Sequence, residues 1–376
     1  MQLHRTRRRT TERDPWLDNA KMILVTLVVV GHAWTMCSAG TALWDHIYSF
    51  LYAWHMPAFV MISGYLSRGF VWNRVRIMSA VRTLLVPYVI LECLLGLFRT
   101  YVGGEHLGAW VVHPHWPMWF LCALFAWRML TPVFRAMPRP VAIGVAVTVS
   151  VLIGWSSWQI FDVARMLGFL PFFVVGLCAS KRALELLRTR VAKVAAVATM
   201  GLTWWATGNI DVWARADWLY YNSTYAELDV HGWTAVPTRL AVLALGLASG
   251  LAFLALVPRR GAGWFTVMGS QTLIVYLFHG FFIESALYLG AAAPVQAHPL
   301  AAWFVMTGAC VLVALALASP WVSGVLGWVA DPVTRMKGRF EHTLDLASAA
   351  DSELEIPDWV PDEMVEELAL APSGRG

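Results

Sequence analysis

Ten stretches of about 20 mostly apolar residues recur along this chain, at 20–38, 45–66, 79–100, 116–134, 140–158, 163–180, 190–208, 237–257, 265–289 and 300–326. A helix needs about 20 such residues to cross the hydrocarbon core of a bilayer. Lipid offers no partner for backbone N–H and C=O groups, so a spanning segment has to satisfy them internally, and runs of this length do so as helices. The expected fold is therefore all-α: a polytopic integral membrane protein with about ten transmembrane helices. Composition agrees. Only 14% of the residues are charged and mean hydropathy is +0.58, against about 25% charged in soluble proteins. The 21 tryptophans suit a chain whose rings anchor at membrane–water interfaces.

The loops set an orientation. "RRRTTER", "SRGFVWNRVR", "RAMPRP", "KRALELLRTR", "VPRRGAG" and "TRMKGR" are basic and alternate with loops that are not, such as "SAGTALWD" and "GGEHLGAWVVHPH". Basic loops stay in the cytoplasm, so both termini are expected inside and the number of spans is even. The first run follows a basic stretch and mimics a signal peptide, but its length and the runs behind it read as a retained first span. The chain then divides into a basic cytoplasmic N-terminus (1–19), a ten-helix membrane domain (20–330) and an acidic cytoplasmic tail (331–376) expected to lack a stable fold. The expected location is the cell membrane, multi-pass.

Several functions are excluded or disfavoured. A net charge of +4 spread over short loops argues against nucleic-acid binding. The five cysteines lie in apolar runs without paired spacing, which suits packing and neither a disulfide framework nor a zinc site. There is no phosphate-binding glycine loop and no metal motif. Only four of the 28 basic residues are lysine, a bias that hints at a GC-rich bacterial genome.

Ionisable residues nevertheless enter the apolar runs. The first reads "DPWLDNAKMILVTLVVVGHAW". At 100° and 1.5 Å per residue, Lys21 and His32 lie within about 20° of one direction and about 16 Å apart in depth, and Asp18 is about 40° off that line. The three form one stripe. Asp18 and Lys21 sit at the cytoplasmic end, where a helix-start aspartate and a topology-setting lysine explain them as well as a function does. His32 lies past the midplane, where a charged group costs about 2.5–3.5 kcal/mol and so faces protein or a wet cavity. The second span holds His55 and Pro57, the latter removing one backbone donor; Ser63 and Gly64 read as packing residues. The ninth places Thr272, Tyr276 and His279 on one face. At the start of the fourth span stand His115, Trp116 and Trp119, for which an interfacial aromatic belt is the plainer reading of the tryptophans. A neutral imidazole serves as a general base near neutral pH. Haem ligation would need histidines paired on two helices at matched depth, which three single histidines on spans one, two and nine fit poorly.

These residues also carry a resemblance. Arg13, "LDNAK" with Lys21, ten residues and then His32, followed by "YAWHMPAFVMISGYLSRGF", "VRTLLVPYVI", "WPMWFLCALF" and "MGSQTLIVYLFHGFF", resembles the membrane acyltransferase-3 family in order over about residues 13–290. The wording is most similar to its fucose 4-O-acetylase-like branch. The resemblance implies ten spans, a cytoplasmic acyl-CoA co-substrate (often acetyl-CoA) with no tightly bound cofactor, and O-acylation of a sugar, glycan or related metabolite. It implies that His32 is essential and that Lys21 and Arg82 matter; the family's second arginine before the third span is replaced here by Ser79. On that basis His32 is the candidate base, with Lys21, Asp18, His279 and Tyr276 completing the catalytic set. Arg13, Lys21, Arg74, Arg76 and Arg82 are candidates for CoA phosphates, although positive-inside topology accounts for arginines of this kind too. His55, His115, Trp116 and Trp119 are candidates for the acceptor. His32 acts either as a base or as an acyl carrier. A saccharide or organic-acid transporter is the competing class; the paired broken helices typical of transporters are not evident. A non-catalytic scaffold is the third.

Overall fold

The computed structural model describes residues 14–35, 42–107, 114–115, 117–156, 160–261, 263–291 and 297–332. Arg13, Trp116 and nearly all of the acidic tail lie outside the described residues. The chain divides into a compact unit, Met1–Ala330, and a second unit, Asp331–Gly376. The main helices all belong to the first.

Every regular element among the described residues is helical. The main helices are α1 (Pro15–Trp34), α2 (Ala42–Leu66), α3 (Arg74–Tyr101), α4 (Trp119–Ala136), α5 (Arg139–Leu152), α6 (Val163–Gly168), α7 (Leu170–Cys178), α8 (Lys181–Leu187), α9 (Arg190–Gly208), α10 (Ala235–Leu256), α11 (Trp264–Met268), α12 (Thr272–Tyr288), α13 (Pro299–Ala318) and α14 (Pro320–Ala330). Each apolar run coincides with one helix or a broken pair. Four helices are long and apolar enough to cross a membrane on length and composition, and a fifth crossing arises if the α6–α7 pair, bent by 54°, counts as one.

Local chemistry sets the starts and breaks. The Asp14 carboxylate accepts from the Trp16 amide at 3.0 Å and Pro15 occupies the first turn of α1, where its missing N–H costs nothing. Asn73, Ser180 and Thr189 cap α3, α8 and α9 through their side-chain oxygens. Within α3, residues Val81–Leu85 widen into a π turn just before Pro87, an arrangement that accommodates the proline's missing donor. Arg82 sits on that turn. The α6–α7 break falls at Phe169, two residues before Pro171.

Helix α2 is central, packed against α1, α7, α9 and α10. Its contact with α7 is backbone on backbone. A Cβ on Gly64 would lie 2.0 Å from the Phe173 carbonyl oxygen, and one on Gly176 would lie 1.9 Å from that of Met61. With little hydrophobic drive between helices in lipid, such close approach at small residues is what holds spans together. A second clasp joins the far ends of α3 and α12: Arg99 and Tyr288 both donate to the Glu105 carboxylate, the tyrosine hydroxyl at 2.5 Å. Hydrogen bonding from Arg99 holds the Glu105 carboxyl below its ordinary value. The aromatic segment 209–236 folds down onto the helices. Arg239 of α10, 1% exposed, lies 5.0–5.9 Å from the rings of Trp218, Tyr221 and Tyr225, and the Tyr225 hydroxyl donates to the Val151 carbonyl at 2.8 Å.

Gly176→Ala should destabilise the protein by about 1–3 kcal/mol, because the added methyl has only rigid backbone to displace. Gly144→Ala in α5, where nothing lies within 4 Å, is the matched control. Thermal unfolding of both variants in detergent reads the difference; equal melting temperatures would mean that α2 and α7 are not in backbone contact.

Candidate active site

The three intramembrane histidines gather around α1. His32, half-buried, stacks on His279 of α12 with ring centroids 5.4 Å apart and planes at 25°. Its ionisable neighbours include His279, His55 and Arg165. His55 (4% exposed) and His279 (0%) are buried. Each anchors its ring on its own helix: His55 Nδ1 donates to the Leu51 carbonyl at 2.9 Å, and His279 Nδ1 to that of Tyr276 at 2.6 Å. A carbonyl only accepts, so Nδ1 carries the proton and Nε2 is the basic nitrogen of the neutral ring. Tyr276 lies 5.9 Å from the His279 ring.

Cavities flank this cluster on both sides along α1. At the Lys21 end, a cavity of about 240 Å³ is lined by Lys21, Ser63, Thr83, Arg128, Thr272 and Tyr276 among apolar neighbours. Ser63, expected as packing, is part of its wall. Lys21 Nζ pairs with Asp18 at 2.7 Å, and Asp18 is 7% exposed because Gly269 of the α11–α12 turn lies against its backbone. At the Trp34 end, an aromatic cleft is lined by residues of α1, α2 and α13 together with Tyr220. Tyr52 bridges from it: its ring is 4.6 Å from Tyr220 and 5.0 Å from His55. Neither cavity is lined by His32 itself; Tyr276 on one side and the Tyr52–His55 pair on the other connect them to it.

Other expected site residues lie elsewhere. Arg74 and Arg76 are exposed, and Arg82, half-buried, does not line the Lys21 cavity although its neighbour Thr83 does. Trp119 corrects the belt reading: it is 5% exposed, stacked on Phe169 at 5.7 Å with the Arg165 guanidinium 5.2 Å from its ring. It faces inward because α4 is covered by α6 and α7. His115 is buried (5%), and both its backbone amide (2.9 Å) and its ring Nδ1 bond to Oε1 of Glu92.

Glu92 itself is a residue the sequence reading passed over, as are Arg128 and Arg165. Glu92 is 1% exposed, and its Oε2 is buried with no hydrogen-bond partner among the described residues. Arg165 pairs with Asp162 at 2.9 Å and has His32, Tyr52 and Tyr276 among its ionisable neighbours. The signal was present: a carboxylate in "VILECLLG" and a guanidinium in "FLCALFAWRML" are charges inside apolar runs, which face protein rather than lipid.

Comparison with known proteins decides the family. The acyltransferase-3 domain, described as an acyltransferase domain, matches residues 14–319, most of the chain and every main helix except α14. This chain belongs to the acyltransferase-3 family. A stretch of 63 residues is also 43% identical to nodulation protein NolL of Mesorhizobium japonicum, covering 16% of this chain and 17% of that protein. The chain thus matches about one-sixth of its curated relative's length. No solved structure matches it. The helical architecture and apolar spans, with this membership, make the acyltransferase-3 domain here a multi-pass membrane domain.

Glu92→Ala should cost about 3–5 kcal/mol, since it strips a buried pair of one partner. Glu92→Gln, which keeps an acceptor for the His115 amide, should cost less. Unfolding of both variants, alone and combined with His115→Ala, measures the coupling; additive effects would show that the pair does not interact.

Proposed function

We propose that this protein is a ten-span membrane O-acyltransferase with both termini in the cytoplasm, located in the cell membrane, which moves an acetyl group from acetyl-CoA to a hydroxyl of a sugar, glycan or related metabolite. Family membership supports the reaction class. The observation that carries the rest is the stacked His32–His279 pair lying between two cavities of different character, one with cations and one with aromatic rings.

In this reading the CoA arm enters at the Lys21 end. Lys21 and Arg128 meet its phosphates, with Arg82, Arg74 and Arg76 adding positive potential at longer range, and Asp18 orients Lys21 through their ion pair. The thioester reaches toward Tyr276. His32 takes the proton of the acceptor hydroxyl as its oxygen attacks the thioester carbonyl; the C–S bond breaks, and the imidazolium returns the proton to the departing thiolate. Tyr276 donates a hydrogen bond to the carbonyl oxygen as negative charge develops on it. His279 holds the His32 ring by stacking, and Arg165 adds a fixed positive charge beside it. Direct transfer needs no covalent intermediate on His32, whereas a relay through acyl-histidine would leave one to trap.

His32→Gln should lower acetyl transfer from labelled acetyl-CoA by at least about 10²-fold, the contribution expected of a general base, with membrane levels and melting temperature unchanged. Activity equal to wild type would remove His32 from the mechanism. Lys21→Ala and Arg128→Ala should raise KM for acetyl-CoA with a smaller effect on kcat.

A further inference from the structure

The cleft at the Trp34 end has walls of two kinds. One is a ladder of indoles: Trp34 and Trp303 stack at 5.0 Å and 26°, and Trp303 and Trp44 at 5.0 Å and 30°. The ladder is pinned, since Trp34 Nε1 donates to Thr307 Oγ1 of α13 at 2.9 Å. The other wall is polar. It presents Asp45 from the first turn of α2 and the phenols of Tyr48 and Tyr220, whose rings lie 6.3 Å apart. Asp45 is exposed and forms no ion pair with any described residue. The cleft holds about 360 Å³, within the range of small-molecule sites.

Its chemistry narrows the ligand. Among the described residues no lysine, arginine or histidine lines it, so phosphates and carboxylates find no counter-charge there. The end rings of the stack, Trp34 and Trp44, each keep one face that the stack does not cover; such a face opposite hydroxyls and one carboxylate matches a molecule with C–H groups on one side and hydroxyls on its edge. A pyranose ring is such a molecule: its axial C–H bonds lie on an indole face, and its hydroxyls donate to a carboxylate and exchange hydrogen bonds with phenols. A methylated ammonium would also sit among aromatic rings, but it has no group for the two tyrosine hydroxyls to bind.

We propose that this cleft is the acceptor-sugar site, holding one pyranose ring between the Trp34–Trp303–Trp44 ladder and Asp45, Tyr48 and Tyr220. It rests on the acyl-transfer reading and says where and how the acceptor is held. Trp34 lies two residues beyond His32 on α1, and the cleft runs inward by Tyr52, whose ring is 5.8 Å from Tyr48 and 5.0 Å from His55. A sugar bound there meets the histidine cluster from the side opposite Lys21. Of the described residues expected at the acceptor from sequence, His55 borders this path, whereas His115 and Trp119 pack elsewhere.

The test is saturation-transfer NMR on the full-length protein in a polyoxyethylene detergent, whose head group is neither a sugar nor a choline. The probes are methyl α-L-fucoside, methyl β-D-galactoside, methyl β-D-glucoside and methyl N-acetyl-β-D-glucosaminide, with choline as the cation. At least one glycoside should receive saturation, strongest at ring C–H protons. Binding should weaken roughly tenfold in Trp44→Ala, much less in Trp44→Phe, and several-fold in Asp45→Asn, an exposed change that leaves folding intact. Three outcomes would overturn the proposal: no glycoside binds while acetyl-CoA turnover persists, choline binds in preference to every glycoside, or glycoside binding is the same in all three variants. The first leaves the acyltransferase reading standing. Glycoside binding by this cleft in a protein that never turns over acetyl-CoA would sink that reading and keep the site.

Discussion

A hydrocarbon interior solvates no charge, and the arrangement of this protein stems from that. Each ionisable side chain in an apolar span has to turn toward protein and find a partner there. Asp18 meets Lys21, Glu92 meets His115, Asp162 meets Arg165, and Arg239 is wrapped by three aromatic rings. His32 and His279 meet each other. The result is a polar seam running through the bundle from the Lys21 cavity past the histidines toward the aromatic cleft.

That seam needs helices held at short, fixed separations. Where Gly64 and Gly176 bring the backbones of α2 and α7 into contact, and Gly269 lies against the backbone at Asp18, no side chain intervenes to blur the spacing. Asn19 adds a polar tether, donating to the carbonyls of Pro258 and Arg260 at 3.0 Å each and accepting from Thr266 at 2.8 Å. Through it the start of α1 is tied to the turn leading into α11 and α12, so Lys21 and Tyr276 stand on elements locked together at one end. The stacking of His32 on His279 depends on this register between α1 and α12.

The cavities at the two ends differ in chemistry, as the proposed donor and acceptor do. One carries Lys21 and Arg128 at its rim and apolar walls behind them, suited to a polyanion with a long neutral arm. The other carries no cation among the described residues and is walled by indoles and phenols. In the proposed reaction a thioester and a hydroxyl would reach one base from opposite directions, each ligand plugging its own approach and keeping water away.

Periodicity and charge in the sequence alone determined the helical class, the position of every apolar run, and the stripe of Asp18, Lys21 and His32 on α1, because a helix projects residues at a fixed angle whatever surrounds it. Glu92, Arg128 and Arg165 were as legible as intramembrane charges, yet stayed unread because none belongs to a motif or stripe with another charge in its run. Only the tertiary structure decided which groups meet. The partner of His32 is 247 residues away on α12, Glu92 reaches His115 across a loop, and Trp119 turns inward where its position in the chain suggested an interface. The aromatic cleft draws on α1, α2, α13 and the segment before α10, and Arg74 and Arg76 stand clear of the cavity they were expected to serve. Contacts between helices depend on crossing angle and separation, which small residues such as Gly64 and Gly176 set through packing and which no single helix encodes.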